Sequence, residues 1–331
     1  MKIPRAFGTS LTLVMAVSLF APACLSAEEP PEKVVDDKSR DQLFPIDSAK
    51  LPKFPEMPAL KELEPGVYFG EVTLKWDRGG SKLWIYLPSL KAADKSLACV
   101  LVAPAGSTLM VGMDLGDGDR VEHLPYVKAG FAVIAYELEG AEVEDSTDAE
   151  FLRQMRRFID SAAGMQDARA ALEYGLAKVP AIDPKRFFAA GHSSAATTAL
   201  LFAAHEPRLR GCAAYAAVAD IYAHVPEKTR KAVEVILPGF QNFLVRSSPR
   251  THAKRFAAPL FLFHAEDDSN VPFADGKAFA ELLRKESRKV EFDTVKTGDH
   301  YDSMIAKGIP HAIAWMKKLL AEPEGEKPKE K

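Results

Sequence analysis

The chain has 331 residues, of which 47% are hydrophobic and 27% are charged, and its formal net charge is −3 at pH 7. This composition is that of an ordinary globular protein, large enough for one big domain or two small ones, and it excludes a fibrous or wholly disordered chain. Because no long Lys/Arg run offers a basic face to a phosphate backbone, nucleic acid is not an expected partner.

The first residues have the pattern of a secretory signal peptide. Lys2 and Arg5 precede an apolar stretch over residues 11–25, and small residues and an acidic turn follow it. The stretch has about 15 residues and contains Pro22, so it is shorter than the roughly 20 residues that span a membrane. We therefore predict that residues 1–27 direct export and are removed, with no membrane association beyond that signal.

Export bears on whether the cysteines of the mature chain form a disulfide. Cleavage after Ala23 or Ala27 would release the mature chain into a periplasmic or extracellular compartment, and a lipoprotein linked through Cys24 is the alternative. Cysteine pairs persist in such an oxidising compartment, but Cys99 and Cys212 each lie in an apolar run typical of a buried strand. We expect small core residues and no disulfide. The eight histidines show no close pairing with cysteine of the kind that binds zinc, so neither a metal nor a cofactor is predicted.

Two segments rich in charge and proline bracket the region with regular patterns. Residues 28–60 have the composition of an arm or linker, and residues 321–331 have that of a disordered charged tail. Residues 61–320, between them, contain no internal repeat and no second linker. A single domain is therefore predicted.

Strand and helix patterns alternate along this domain. Two runs flank Asp-Arg-Gly-Gly at residues 77–80, a hairpin signal, and five nearly continuous apolar runs follow, as in parallel strands buried on both faces. We predict an α/β fold with a mostly parallel central sheet of about eight strands and helices on both faces. The predicted strands are GVYFGEVTLKW, SKLWIYLP, LACVLVAP, FAVIAYEL, RFFAAGHS, GCAAYAAVAD, PLFLFHAEDD and KVEFDTVKTGDH.

Reactive side chains follow three of the predicted strands. Ser193 comes after RFFAAGH, Asp267 and Asp268 come after PLFLFHAE, and His300 comes after KVEFDTVKTGD. Loops at the carboxyl ends of parallel strands converge on one crevice. A nucleophile, a carboxylate and an imidazole would therefore share one edge of the sheet, in the order Ser, Asp, His. Residues 105–107, Ala-Gly-Ser, follow another strand at the same edge.

This order, with the Gly-His-Ser-Ser-Ala turn around Ser193, resembles the α/β-hydrolase superfamily. The segment SSPRTHAKRFAAPLFLFHAEDDSNVPF is similar to the Ser-Pro, Ala-Pro-Leu and His-Gly-x-x-Asp-x-x-Val-Pro sequence of the prolyl-oligopeptidase-like (peptidase S9) and dienelactone-hydrolase-like branch. The likeness extends from about Glu71 to Leu320. It departs at Ala195, where the family usually has glycine, and at APAGS, where many members have His-Gly.

The resemblance implies a catalytic triad. Ser193 would be the nucleophile, and His300 would be the general base that takes its proton. The family's acid lies three residues before the valine of Val-Pro, which selects Asp268 and leaves Asp267 as the alternative. Two other histidines are predicted to be structural, namely His192 beside the nucleophile and His264 inside a strand.

The turn around the serine also implies an oxyanion hole. Its donors would be the backbone N–H of Ser194 and that of Gly106 or Ser107. Small residues at positions 191 and 195 suit the close approach of strand and helix at such a turn. A small-residue turn without chemistry is the alternative interpretation, and the partners further along the chain argue against it.

The predicted function is that of a secreted serine hydrolase that cleaves carboxylic esters, with a small ester or a short peptide as substrate. The alternatives are a prolyl-oligopeptidase-type serine peptidase and a catalytically silent binding protein. Peptidases of this family carry a β-propeller before the hydrolase domain, and the roughly 40 residues between signal and first strand amount to one blade. An ester is therefore the expected substrate, and the oligomeric state is left open.

Residues 220–247 are expected to form a short cap-like insertion after the sixth strand. Leu237, Phe240, Phe243 and Leu244 in this segment would either line an acyl pocket or pack onto the core.

Overall fold

The computed structural model describes residues 42–46, 48–76, 79–142 and 146–322. The predicted signal peptide, the first two residues of the predicted hairpin turn and all but the start of the predicted tail lie outside these ranges. No helix within them is long and apolar enough to cross a membrane.

The described residues contain a nine-stranded sheet with the order β1-β2-β3-β5-β4-β6-β7-β8-β9. Strands β1, β2, β3 and β5 pair antiparallel, and the pairs from β5 through β4 to β9 are parallel. This confirms the predicted fold class, with β1 added because its exposed sequence KELE has no apolar pattern. The strands are β1 Lys61–Glu64, β2 Val67–Trp76, β3 Gly79–Leu87, β4 Leu97–Val102, β5 Ala132–Tyr136, β6 Ile182–His192, β7 Gly211–Tyr215, β8 Leu260–Ala265 and β9 Val290–Val295.

Helices cover both faces of the sheet. Residues of α1 and α9, such as Tyr126 and Trp315, pack on one face, and residues of α3, α4 and α8, such as Leu172, Leu200 and Leu283, pack on the other. The α-helices in the described ranges are α1 Arg120–Lys128, α2 Asp148–Asp160, α3 Met165–Lys178, α4 Ser194–His205, α5 Ile221–His224, α6 Glu227–Ile236, α7 Phe240–Ser247, α8 Phe273–Lys285 and α9 Ile309–Ala321.

The central strands are buried on both sides, as their continuous apolar sequences predicted. Successive residues of β4 alternate between the two cores, with Val100 in one and Leu101 in the other. Cys99 and Cys212 lie on β4 and β7, are fully buried, and are free thiols. Burial raises the pKa of both thiols, so they are unreactive core residues.

The segment of helical period over residues 148–179 is broken into two helices. Ala162, Ala163 and Gly164 have φ values of 59°, 57° and 77°, in the left-handed region. Ser161 stabilises the break, because its hydroxyl donates to the Phe158 carbonyl and accepts the Gly164 N–H. Periodicity alone cannot detect such a break, since two of the three left-handed residues are alanines.

The described part of the predicted arm lies against the domain. The Phe44 side chain is buried, and its N–H donates to Nε2 of His205 at 2.9 Å. Arg246 of α7 donates to the carbonyls of Gln42 and Leu43 and stacks over the Phe44 ring. This segment therefore packs against the core through the apolar residues that lie between its prolines.

The predicted cap-like segment forms helices α5, α6 and α7. Leu237, Phe240, Phe243 and Leu244 are all buried and belong to the main core, where Phe243 contacts Phe44 and Phe158. The first three of them line a cavity of about 370 Å³ beside α2, and none of its lining residues belongs to the loops that carry Ser193, Asp268 or His300. Of the two roles predicted for these side chains, the structure favours core packing.

Candidate active site

Ser193 lies at a sharp turn between β6 and α4. Its backbone has φ 55° and ψ −120°, a left-handed φ that is uncommon for a residue with a side chain and that stores strain. The Ser193 N–H donates to the Tyr215 carbonyl on β7 at 2.9 Å, and the Ser193 carbonyl accepts the Thr197 N–H at 3.2 Å. These bonds fix the turn at both ends. The serine side chain is left partly exposed at the carboxyl end of β6.

The close approach of strand and helix explains the small residues around this turn. A Cβ added to Gly191 would lie 2.4 Å from the carbonyl carbon and oxygen of Ala195 and 2.8 Å from the Ala196 nitrogen. Since these are backbone atoms, no side-chain movement could relieve the contact. Ala195 itself is fully buried in the core below α4, which has room for its methyl group.

Asp268 and His300 form a hydrogen-bonded pair at the ends of β8 and β9. Nδ1 of His300 lies 2.8 Å from Oδ2 and 3.0 Å from Oδ1 of Asp268. The carboxylate side chain is 1% exposed, and the imidazole is 10% exposed. An ionised carboxylate can only accept, so Nδ1 carries the proton, and Nε2 of a neutral ring is left as a proton acceptor.

The Asp268 carboxylate is held ionised by several donors. Oδ1 accepts the N–H groups of Asn270 and Val271 at 2.9 and 2.8 Å, and Nε2 of His264 lies 3.3 Å from Oδ2. Burial of the carboxyl group favours the neutral acid, but hydrogen bonds from His264, from His300 and from the Val271 N–H outweigh burial and hold the pKa of Asp268 well below its usual range. The Asp268 carboxyl group is therefore expected to be ionised at neutral pH.

Asp267 has a different set of contacts from its neighbour. Its Oδ1 accepts the Asp299 N–H at 2.9 Å, and its Oδ2 accepts the Gly298 N–H at 3.1 Å. Asp299 returns a bond to the same loop, because its Oδ1 accepts the Ser269 N–H at 2.8 Å. Asp267 thus fastens the backbone of the histidine loop and does not touch the imidazole of His300.

His192, the residue before Ser193, contacts the loop that carries His300. It is buried, and its Nε2 lies 3.0 Å from the His300 carbonyl oxygen, to which it can donate. Its ring centroid is 4.5 Å from that of His300, and its Nδ1 is 3.7 Å from Oε1 of the buried Glu122. The contact of His192 with the His300 carbonyl links the serine turn to the histidine loop, which fits the structural role expected from the sequence.

The predicted oxyanion donors are arranged differently from the expectation. The N–H groups of Gly106 and Ser107 both donate to Oγ of Ser194, each at 3.0 Å. These two N–H groups bind the Ser194 hydroxyl because Ser194 is the first residue of α4 and its buried side chain points to the loop after β4. In this arrangement the two N–H groups face the Ser194 hydroxyl, while the Ser194 N–H lies at a helix N-terminus and stays a predicted donor.

The three predicted side chains therefore lie on the loops after β6, β8 and β9, at the carboxyl ends of the parallel strands. Within the described ranges the Ser193 hydroxyl has no hydrogen-bond partner, and the bond from serine to His300 is not formed. Catalytic hydrogen bonds are often long in the absence of substrate and tighten when it binds. A free hydroxyl at a helix N-terminus, at the same end of the sheet as an oriented imidazole, can support nucleophilic attack on a carbonyl carbon once substrate brings the groups together.

Two features of the site were not predicted from the sequence. These are the contact of His264 with Asp268 and the bonds from the residue 106–107 backbone to the Ser194 hydroxyl. The first had a signal, since His264 begins the motif segment that ends at Val271-Pro272. The second had none, because a bond between residues separated by 88 positions has no local sequence pattern.

Solved structures of hydrolases share this fold. The chain is similar to the acylaminoacyl peptidase of Pyrococcus horikoshii, with 19% identity and a TM-score of 0.60 over 80% of this chain and 43% of that one. It is also similar to a candidate dienelactone hydrolase of Klebsiella pneumoniae, with 18% identity and a TM-score of 0.57 over 76% and 99% of the two chains. Acetyl xylan esterase 1 of Thermoanaerobacterium has 16% identity and a TM-score of 0.57 over 85% and 91%.

The chain spans less than half the length of the Pyrococcus peptidase and nearly the full length of the other two proteins. A search of curated sequences finds no significant match. The model of the prolyl oligopeptidase family matches residues 121–322, which include the serine turn and the loops of Asp268 and His300. The chain therefore belongs to the prolyl oligopeptidase family of hydrolases, with the α/β-hydrolase fold.

Proposed function

We propose that the protein is an exported serine hydrolase that cleaves carboxylic esters through an acyl-enzyme. The observation that carries the proposal is the placement of the strained Ser193 turn after β6 and of the Asp268–His300 pair after β8 and β9, all at the carboxyl ends of the parallel strands. No cofactor takes part in this chemistry.

Acylation uses the three side chains in turn. Oγ of Ser193 attacks the ester carbonyl carbon while its proton passes to Nε2 of His300, and Asp268 stabilises the imidazolium. The carbonyl oxygen becomes an oxyanion that accepts the Ser194 N–H. The carbon–oxygen bond to the leaving group then breaks, and the alkoxide leaves with the proton from His300, which yields an alcohol and an ester of Ser193.

Deacylation repeats these steps with water. Water gives a proton to His300 as its oxygen bonds to the acyl carbon. The bond to Ser193 then breaks, and the serine oxygen recovers that proton as the carboxylic acid forms. One water is consumed for each ester.

Two considerations support an ester over a peptide. Two acetyl xylan esterases have this fold over 85% and 80% of this chain, so the fold accommodates ester substrates. An activated ester also requires less positioning and leaving-group protonation from the same triad than an amide does.

A comparison of two chromogenic substrates tests this preference. We expect the mature chain to hydrolyse p-nitrophenyl acetate with a kcat/KM at least about 10²-fold above that for a Gly-Pro p-nitroanilide, since an activated ester requires less leaving-group protonation than an amide. A preference for the anilide would replace the esterase with a peptidase. Ser193→Ala is the control for hydrolysis that does not use the site.

Export is proposed from the pattern of residues 1–27. The test is amino-terminal sequencing of protein recovered outside the cytoplasm, after expression of the whole chain in a bacterium with a Sec pathway. We expect the sequence to begin at Glu28 or at Cys24. Intact protein that retains Met1 in the cytoplasm would contradict the proposal.

A further inference from the structure

Ser194 has an unusual position for a residue that follows a candidate nucleophile. Its Oγ accepts two backbone N–H bonds of 3.0 Å, from Gly106 and from Ser107. The residue is 3% exposed, so water does not compete for these bonds. The two donors lie on the loop after β4, which Ser107 closes further by accepting the Leu109 N–H and donating to the Val111 carbonyl.

The Ser194 hydroxyl therefore uses its capacity to accept hydrogen bonds but not its capacity to donate one. A serine hydroxyl offers two acceptor sites and one donor. The two N–H groups occupy both acceptor sites, which leaves the O–H proton to point away from the loop. Within the described ranges that proton has no acceptor. A buried donor next to Ser193 is thus left without a partner from the protein, which is costly unless a ligand supplies one.

We propose that Ser194 is a catalytic residue that donates two hydrogen bonds to the oxyanion, one from its backbone N–H and one from its side-chain O–H. This inference rests on the proposed function and replaces the predicted N–H donors of Gly106 and Ser107 with the hydroxyl that they hold. The two N–H groups polarise the hydroxyl, and a donor that is itself an acceptor of two bonds is a stronger donor.

The geometry also explains the sequence APAGS. Because the Ser194 hydroxyl lies between the loop after β4 and the oxyanion, the loop acts on the oxyanion through Ser194. The loop then needs only two N–H groups that converge on one oxygen, and the φ of 106° at Gly106 allows this turn. The His-Gly of other family members is therefore not required at these positions.

Two substitutions of Ser194 test the proposal with p-nitrophenyl acetate and with its thionoester, in which sulfur replaces the carbonyl oxygen. Sulfur is a poor hydrogen-bond acceptor, so the rate ratio of ester to thionoester reports donors that act on the oxyanion. We expect S194A to lower kcat for the ester by about 10²–10³-fold, as the loss of one oxyanion donor does, and to lower the ester/thionoester ratio. S194C keeps the shape of the side chain with a much weaker donor, and we expect it to change both quantities in the same direction.

Thr198→Ala is the matched control, because Thr198 is a buried hydroxyl one turn further along α4 that donates to the Ser194 carbonyl at 3.2 Å. It should leave the rate ratio unchanged. If S194A fails to fold, S194C carries the test.

Three results would overturn the inference. Full or increased activity in a folded S194A or S194C would show that the Gly106 and Ser107 N–H groups, once released, bind the oxyanion and that the hydroxyl merely blocks them. A lower kcat with an unchanged ester/thionoester ratio would show that Ser194 only positions the loop. A wild-type protein without ester turnover would overturn both the proposed function and this inference. The first two results would overturn this inference alone.

Discussion

Nδ1 of His300 lies 2.8 Å from Oδ2 of Asp268, and the two residues are 32 positions apart in the chain. The contact joins the loop after β8 to the loop after β9 and fixes which ring nitrogen carries the proton. The adjacent Asp267 carboxylate binds the backbone of the same histidine loop at Gly298 and Asp299. Two consecutive aspartates therefore position one histidine, one through its ring and the other through its backbone.

Substitution of each aspartate separates these roles. Asp268→Asn should lower kcat by up to about 10⁴-fold, because an amide can donate to Nδ1 and so hold the wrong tautomer of His300. Asp267→Asn should have a mild effect, since the amide oxygen still accepts one of the two N–H bonds. Steady-state kinetics with p-nitrophenyl acetate measure both, and circular dichroism checks the fold.

The opposite ranking of the two variants would contradict this assignment. It would mean that Asp267, which binds the loop backbone here, is the partner of the imidazole during turnover.

The small residues around the serine give a prediction on stability. Gly191→Ala should destabilise the fold by about 1–3 kcal/mol, as overpacking does, because its Cβ would lie 2.4 Å from the Ala195 carbonyl group. Ala195→Gly is the matched control and should cost at most about 1 kcal/mol, from the greater chain entropy of glycine. Urea denaturation measures both variants. Equal stabilities would show that strand and helix separate easily at this turn.

Stability should depend on pH through His205. Burial lowers the pKa of His205 to about 4, with further lowering by His252 and two arginines, while its bond to the Leu201 carbonyl acts in the opposite direction. The unfolded chain binds a proton near pH 6.5. His205 therefore contributes stability that is present above about pH 6.5 and is lost as the pH falls towards 4.

Near pH 5 this contribution changes by about 1 kcal/mol per pH unit. We expect His205→Gln to reduce the pH dependence of the unfolding free energy between pH 6 and pH 4.5 by about that amount, measured by urea denaturation at several pH values. The glutamine oxygen can still accept the N–H of Phe44, whose bond to His205 would otherwise be lost. Identical pH dependence in the two proteins would show that the folded state accepts the proton without cost.

The sequence was sufficient for the elements whose pattern is local. Strands buried on both faces have continuous apolar runs, and Ser193 and Asp268 each follow such a strand. His300 follows β9, a partly exposed strand at the end of the sheet order. All three residues follow strands of one parallel set, so their common edge of the sheet could be predicted. The strand β1 was missed because three of its four residues are charged and three are exposed, and pairing with β2 alone makes it a strand.

The missing parts of the site are one contact between residues four positions apart and two contacts between distant segments. His264 contacts Asp268, and His192 lies within hydrogen-bond distance of the His300 carbonyl. The Ser194 hydroxyl accepts a hydrogen bond from the loop after β4. Each of these contacts is set by the angle at which the strands and loops meet. Residue type and spacing carry no information on such angles, so the bonds from the Gly106 and Ser107 N–H groups to the Ser194 hydroxyl could not be predicted.

Labelling by a fluorophosphonate probe tests the central claim most directly, because the probe reacts with a serine only where that serine is activated and requires no knowledge of the substrate. We expect the folded mature protein to be modified at Ser193, as shown by peptide mass spectrometry, and Ser193→Ala to abolish labelling and to lower kcat by at least about 10³-fold. Folded wild-type protein that remains unlabelled, or that is labelled at Ser194, would contradict the assignment of Ser193 as the nucleophile.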